Sequence, residues 1–304
     1  MKIVVLGIGG VGGVVGGALA RVNAETYFCA RGENLQAIRQ SGLTVRSALF
    51  GNFTVRPKAA SENAADFGTA DVVFVACKGC GIEAACRTIA PTVGPETIVA
   101  PLLNGVMVSE VMEPLLPRCV TTDAAIRVFS HIESPGRVVH TSGPCSVVMG
   151  MKDGGRLAKL EAAAELLNCA GVKTRISGDI LSESWAKYVT MCSNSVLFCY
   201  YDGPAGTVRE DPDHEKVLRA IVGSMAAIAA AKGATLPTDT VDRHIEAFSK
   251  MPPDTMTSLY RDLSGGRPAA ETELRHLVGR FVEFSDQTGI PAPYHRAVYD
   301  KYGG

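Results

Sequence analysis

Lys2-Ile3-Val4-Val5-Leu6-Gly7-Ile8-Gly9-Gly10-Val11-Gly12 opens the chain as a short β-branched run that ends on a G-x-G-x-x-G. The residues after Gly12 are small and apolar, fit for a helix packed on a sheet. In a strand–turn–helix of this kind the first glycine makes the tight turn and the second admits a pyrophosphate to the backbone. The third lets helix and strand pack closely. The helix N-terminus then offers unpaired N–H groups and the positive end of its dipole to the phosphates. A lone glycine-rich match is weak; its place directly after the first strand gives it weight. Gly7, Ile8, Gly9, Gly10, Val11 and Gly12 are therefore the expected dinucleotide-binding turn.

Outward from that turn, strand and helix alternate. Further strands are expected at residues 26–30 (TYFCA), 71–77 (DVVFVAC), 97–100 and 120–124, that at 71–77 apolar throughout, as a strand covered on both faces should be. Residues 137–141 and 146–149 flank Ser142-Gly143-Pro144, which reads as a turn between antiparallel edge strands. From about residue 178 helical periods replace strand runs, at 180–199, 214–232, 240–250, 255–263 and 271–288. Gly233 and Gly289 stand at C-cap positions, with Pro237 and Pro291 soon after. The expected fold class is α/β: a Rossmann-type doubly wound parallel sheet over residues 1–175, followed by an all-helical substrate and catalytic domain over 176–304. A cleft between two such halves is where a ligand belongs.

Composition narrows the function. A formal net charge of −1 supplies neither a basic field for nucleic acid nor a polybasic membrane patch. Nine cysteines in 304 residues do not form the framework of a small secreted domain, so reduced thiols and a cytoplasmic location are expected. The first twenty residues imitate a signal peptide, but seven glycines between Gly7 and Gly17 break the apolar helix such a peptide needs. Six scattered histidines form no H-x-H or H-x-x-x-H pair, so no metal is expected.

Two further features point to chemistry. The second strand runs out at Cys29-Ala30-Arg31, where an NAD site places a carboxylate for the ribose hydroxyls. A guanidinium there suits a 2′-phosphate, so NADP(H) is the expected cofactor, although Glu33 keeps NAD open. In the helical half, Trp185-Ala186-Lys187-Tyr188 sets a cationic proton donor among apolar residues, and Glu273 follows later. Reducing a ketone by hydride needs such a donor at the nascent alkoxide.

In collinear order these features resemble the ketopantoate reductase (2-dehydropantoate 2-reductase) family. They are GIGGVG, Arg31, Val75-Ala76-Cys77-Lys78, Leu103-Asn104-Gly105-Val106, Trp185-Ala186-Lys187, Ser258-Leu259-Tyr260-Arg261-Asp262, Thr272-Glu273-Leu274, Gly279 and Gly289-Ile290-Pro291. The resemblance implies reduction of a small 2-oxo acid by NADPH, with Lys187 as general acid and Glu273 holding the substrate or orienting the lysine. It implies Lys78 and Asn104 beside the nicotinamide end, Ala125 beside the cofactor, and Ser258 on the substrate carboxylate. A role in pantothenate biosynthesis follows, and a homodimer is compatible with it.

The departures are on the substrate side. Met191 and Ser195 stand one and two helical turns after Lys187, where the family pattern carries asparagines, and Ala205 replaces a third. A site built without those amides favours a less polar substrate. Asn194 is turned about 100° from Ser195 on a helix and is no replacement. A short insertion at residues 264–270 makes Glu271 a rival for the acidic role, while the spacing to Gly279 supports Glu273. The alternatives are a dehydrogenase of another 2-oxo or 2-hydroxy acid, or of an amino acid derivative, on the same scaffold, and a non-catalytic NADP(H)-binding sensor. Cys77-Lys78-Gly79-Cys80 is a C-x-x-C without the second pair a Cys₄ zinc site needs; its oxidation would disturb Lys78.

Overall fold

In the computed structural model, which describes residues 1–303, the apolar runs of the first half pair side by side. In chain order the strands are β1 (Ile3–Leu6), β2 (Thr26–Cys29), β3 (Leu43–Ser47), β4 (Phe53–Val55), β5 (Ala59–Ser61) and β6 (Val72–Val75). They continue with β7 (Ile98–Pro101), β8 (Val120–Thr121), β9 (Asp123–Ser134), β10 (Arg137–Gly150) and β11 (Lys173–Ile176). The first sheet has the order β5-β2-β1-β6-β7-β8, with every neighbour parallel. Counted along this sheet alone, that is third-second-first-fourth-fifth-sixth, the doubly wound order, and the reversal falls between β1 and β6. Helices on both faces leave β1, β6 and β7 wholly buried, which is why their sequences are unbroken apolar runs.

A second sheet forms around β10. Its first part pairs parallel with β3 and its last part parallel with β11; β9 runs antiparallel beside it, and β4 extends β3. The first helix, α1 (Gly10–Val22), lies between the two sheets. A Cβ on Gly13 would stand 2.6 Å from the Val138 side chain, and one on Gly17 2.6 Å from Val45, both in the second sheet. On the other side, a Cβ on Gly16 would come within 3.1 Å of Phe28 in the first. The glycines that interrupt the signal-like segment are thus the surface on which two sheets close over one helix.

The expected turn at Ser142-Gly143-Pro144 is corrected. β10 continues through these residues as an irregular strand, with register shifts between His140 and Ser142 and between Ser142 and Ser146. Gly143, at φ +75°, serves this bulge, and the chain reverses instead at Gly136, φ +73°. The run 120–124 is likewise two strands, β8 and the start of β9. The remaining helices of this unit are α2 (Gly32–Ser41), α3 (Ile82–Ile89), α4 (Val108–Met112) and α5 (Ala158–Cys169). The first compact unit ends at Ile180, because β11 pairs with β10 and stays with it.

The second unit, from Leu181 on, is helical. It is built on α6 (Ile180–Tyr201), α7 (Ala205–Glu210), α8 (His214–Ala231), α9 (Thr240–Ser249), α10 (Ser258–Ser264), α11 (Arg280–Thr288) and α12 (Pro293–Lys301). Gly233 (φ +86°) and Gly289 (φ +71°) close α8 and α11. The expected start of a helix at residue 255 is moved to Ser258, where the Thr257 hydroxyl caps α10 by accepting from Tyr260 N–H. Nor is 271–288 one helix. A 3₁₀ turn at Ala269–Glu271 and a π-turn at Arg275–Gly279 precede α11, and the Thr272 hydroxyl accepts from Leu274 N–H between them. Among the described residues no helix is long and apolar enough to cross a membrane.

Candidate active site

The glycine turn is closed at its outer glycines and open at its middle one. Gly7 has φ +87°, and a Cβ there would lie 2.8 Å from the Ala76 carbonyl oxygen. A Cβ on Gly12 would strike the Gly7 carbonyl at 2.1 Å, so strand and helix are in backbone contact. At Gly9, the N-cap of α1, a Cβ would meet nothing within 4 Å, and no side chain caps the helix. This suits a diphosphate that approaches bare backbone at a helix N-terminus. Ile8 is buried and Val11 half-buried; a Cβ on Gly10 would lie 2.8 Å from the Ser130 carbonyl oxygen of β9. Asn34, which the sequence did not flag, straps the turn: its amide donates to Ile8 O (2.6 Å) and accepts from Gly136 N–H (2.7 Å).

The other residues expected of a cofactor site lie in the same unit. Arg31 follows β2 as the extended N-cap residue of α2 and is exposed, as is Glu33. Lys78 is exposed after β6, and Asn104 is half-buried after β7. β1, β6 and β7 are adjacent, so the glycine turn, Lys78 and Asn104 all lie beyond the carboxyl ends of neighbouring strands, at the switch point where doubly wound folds bind ligands. Ala125 is buried on β9, opposite Val148. The segment after Asn104 is held by another residue that sequence reasoning missed. The buried Asp123 carboxylate accepts from Ser109 N–H (3.1 Å) and from the Ser109 hydroxyl (2.5 Å), an anion at the first turn of α4. Its only sequence signal is an acid in a small-residue run.

In the helical unit one lysine and one glutamate are buried, Lys187 on α6 (7% exposed) and Glu273 (9%). Asp123 is the only other buried Lys, Arg, Asp or Glu among the described residues. Burying a charge is costly without compensation, so two opposite ones in one helical unit call for a purpose. The segments carrying them are tied together. The Tyr188 hydroxyl donates to Leu277 O, and Leu277 N–H donates to Glu273 O at 2.8 Å. Leu277 lies in the π-turn, and such bulges free a carbonyl for another partner. Burial pushes the Tyr188 phenol well above its ordinary pKa, so it remains a hydrogen-bond donor. Glu271, the rival acid, is exposed.

The expected substrate-side residues are dispersed differently. Met191 and Ser195 follow Lys187 along one face of α6, half-buried and buried. The Ser195 hydroxyl donates back to Met191 O (2.9 Å). Ala205 is fully buried, and Ser258 is exposed at the first position of α10. Among the described residues no cluster of His, Cys, Asp and Glu could hold a metal ion.

The chain matches the family model for ketopantoate reductase PanE/ApbA over residues 3–154 and the model for its C-terminal part over 179–303. A 2-dehydropantoate 2-reductase of Mesorhizobium japonicum is 27% identical over 319 residues, 98% of this chain and 95% of that protein. The crystal structure of a PanE/ApbA family ketopantoate reductase from Ralstonia eutropha has a TM-score of 0.86 at 28% identity, covering 99% of this chain and 97% of that one. A D-mandelate dehydrogenase solved with NADH and anilino(oxo)acetate shares the fold, with a TM-score of 0.84 at 21% identity over 99% and 96% of the two chains. With matches along both units, the chain belongs to the ketopantoate reductase family and is an oxidoreductase of that type.

Proposed function

We propose that the chain reduces 2-dehydropantoate to pantoate with NADPH. The observation that carries this reading is that Lys187 and Glu273 are both buried, on segments joined through Tyr188 and Leu277. The glycine turn with its open Gly9 would receive the pyrophosphate, and Arg31 the 2′-phosphate. Lys78, Asn104 and Ala125 would border the nicotinamide end. When bound, the dihydronicotinamide supplies hydride to the ketone carbon. Lys187 gives its proton to the ketone oxygen, and its ammonium neutralises the charge that grows there. Glu273 orients the lysine or holds the substrate hydroxyl, and Ser258 receives the carboxylate.

A second reading is favoured by one observation. With the Ser195 hydroxyl turned back onto its own helix and Met191 before it, the face beyond Lys187 offers no amide to a hydroxylated substrate. A 2-oxo acid with an apolar side group fits that face better. The experiment is NADPH oxidation, followed by absorbance, with 2-dehydropantoate and a panel of alkyl and aryl 2-oxo acids. Fastest turnover of 2-dehydropantoate supports the first reading, and fastest turnover of an apolar 2-oxo acid the second. Tight NADPH binding with no turnover of any of them would leave a sensor.

Cofactor choice is tested at Arg31. Charge-assisted hydrogen bonds contribute roughly 1.5–3 kcal/mol, so Arg31→Ala should weaken NADPH binding by about ten- to a hundredfold. NADH binding should hardly change. Equal losses for both cofactors in a fluorescence titration would remove the 2′-phosphate role.

A further inference from the structure

Six of the nine thiols are held in their protonated form by burial. It pushes Cys29, Cys86 and Cys119 up to about 11, and Cys145, Cys192 and Cys199 up to about 12. Of the other three, Cys77 is half-buried, as Cys119 is, and Cys80 and Cys169 are exposed. Cys169 stands alone at the end of α5. Cys77 and Cys80 share one strand-to-helix corner, leading from β6 through a 3₁₀ turn (Gly79–Gly81) into α3. Both are reduced, and the corner is closed by Gly81 N–H donating to Lys78 O at 2.9 Å.

We propose that Cys77 and Cys80 are a dithiol pair whose oxidation to a disulfide lowers cofactor affinity at the glycine turn. The structure supplies the connection. Gly7 packs against the peptide between Ala76 and Cys77: a Cβ on it would lie 2.8 Å from Ala76 O and 3.1 Å from Cys77 N. A shift of Cys77 is therefore felt at the first glycine of the turn. Lys78 between the thiols is extended (φ −69°, ψ 149°). A disulfide requires Cα atoms within about 6.8 Å, so closure pins the two residues that flank Lys78 and Gly79 and with them the placement of the Lys78 ammonium. Glycines at 79 and 81 let the corner refold at small steric cost.

With a peroxide as oxidant the step balances. The Cys80 thiolate attacks a peroxide oxygen; an S–O bond forms, the O–O bond breaks, and hydroxide leaves and is protonated to water. The Cys77 thiolate then attacks the Cys80 sulfur; an S–S bond forms, the S–O bond breaks, and a second hydroxide leaves as water. The two sulfurs lose two electrons in total and the peroxide gains them. A dithiol reductant reverses the reaction by exchange.

The effect on affinity rests on the proposed cofactor reading; the disulfide does not. The whole chain is treated with hydrogen peroxide, then with dithiothreitol, and read by intact mass, by peptide mapping and by NADPH titration. The proposal expects a loss of two hydrogens localised to a Cys77–Cys80 link, with Cys169 still open to alkylation. NADPH affinity should fall roughly tenfold or more, within the usual range of coupling between sites, and recover on reduction. Cys80→Ser should bind NADPH like the reduced protein and fail to respond. Oxidation without that link, or the link with unchanged affinity, overturns the proposal. If the reduced protein binds neither NADPH nor NADH, the cofactor reading and the affinity switch both fall, and the mass measurement alone decides whether the disulfide site exists.

Discussion

Replacing Lys187 with alanine is expected to lower kcat by about two to four orders of magnitude, the usual contribution of a positioned general acid. NADPH affinity should stay near that of the parent protein, because the groups proposed to hold the phosphates and ribose all lie in the first unit. This split separates a chemical role from a fold defect. A second variant sharpens it: Lys187→Arg keeps the charge but presents a group that does not give up a proton near neutrality, so turnover should remain low. A small primary amine added to Lys187→Ala should restore part of the rate, which a merely structural lysine would not allow. Unimpaired turnover in Lys187→Ala would sink the assignment. A parent protein that binds NADPH tightly yet turns over no 2-oxo acid would point to the sensor reading instead.

The sheet half was legible because its information is local. A G-x-G-x-x-G after a β-branched run fixes strand, turn and helix within a dozen residues, and Gly7 has positive φ with Gly12 against the Gly7 carbonyl. The helical half was less so. A lysine on a helix reads as a solvated residue, and the burial of Lys187 comes from packing. The tie that joins its helix to the Glu273 segment, Tyr188 to Leu277, spans 89 residues. Nothing in the spacing announced the π-turn. Two turn signals competed in the hairpin, Pro135-Gly136 and Gly143-Pro144, and the chain turns at one and bulges at the other. β3, β4 and β5 escaped notice because strands of three to five residues, partly polar, carry too few alternations to register. Asp123 and Asn34 hold loops through long-range hydrogen bonds that no periodicity encodes.

The helical unit should lose stability on mild acidification through a single residue. His295 on α12 is fully buried, its ring centroid 4.1 Å from that of Phe281, and neither ring nitrogen has a hydrogen-bond partner. Burial pushes its pKa down to about 3, against about 6.5 in an unfolded chain. Between those values the unfolded chain binds a proton that the folded one refuses, so unfolding free energy rises with pH. The contribution is fully present above about pH 6.5 and is lost as pH falls toward 3. At about 1.4 kcal/mol per unit, roughly 2 kcal/mol is gone by pH 5 and about 5 kcal/mol across the window. Trp185, the only tryptophan, is buried in the same unit, so its fluorescence reports on that unit during urea unfolding. The midpoint should fall by roughly 1 M between pH 7 and pH 5. His295→Phe keeps a ring against Phe281 and cannot titrate, so its midpoint should fall much less over the same interval. The difference in slope is the test, since added ring volume could raise or lower the absolute midpoint. Parallel decline of the two proteins would place the acid sensitivity in other groups and leave His295 a passive part of the core.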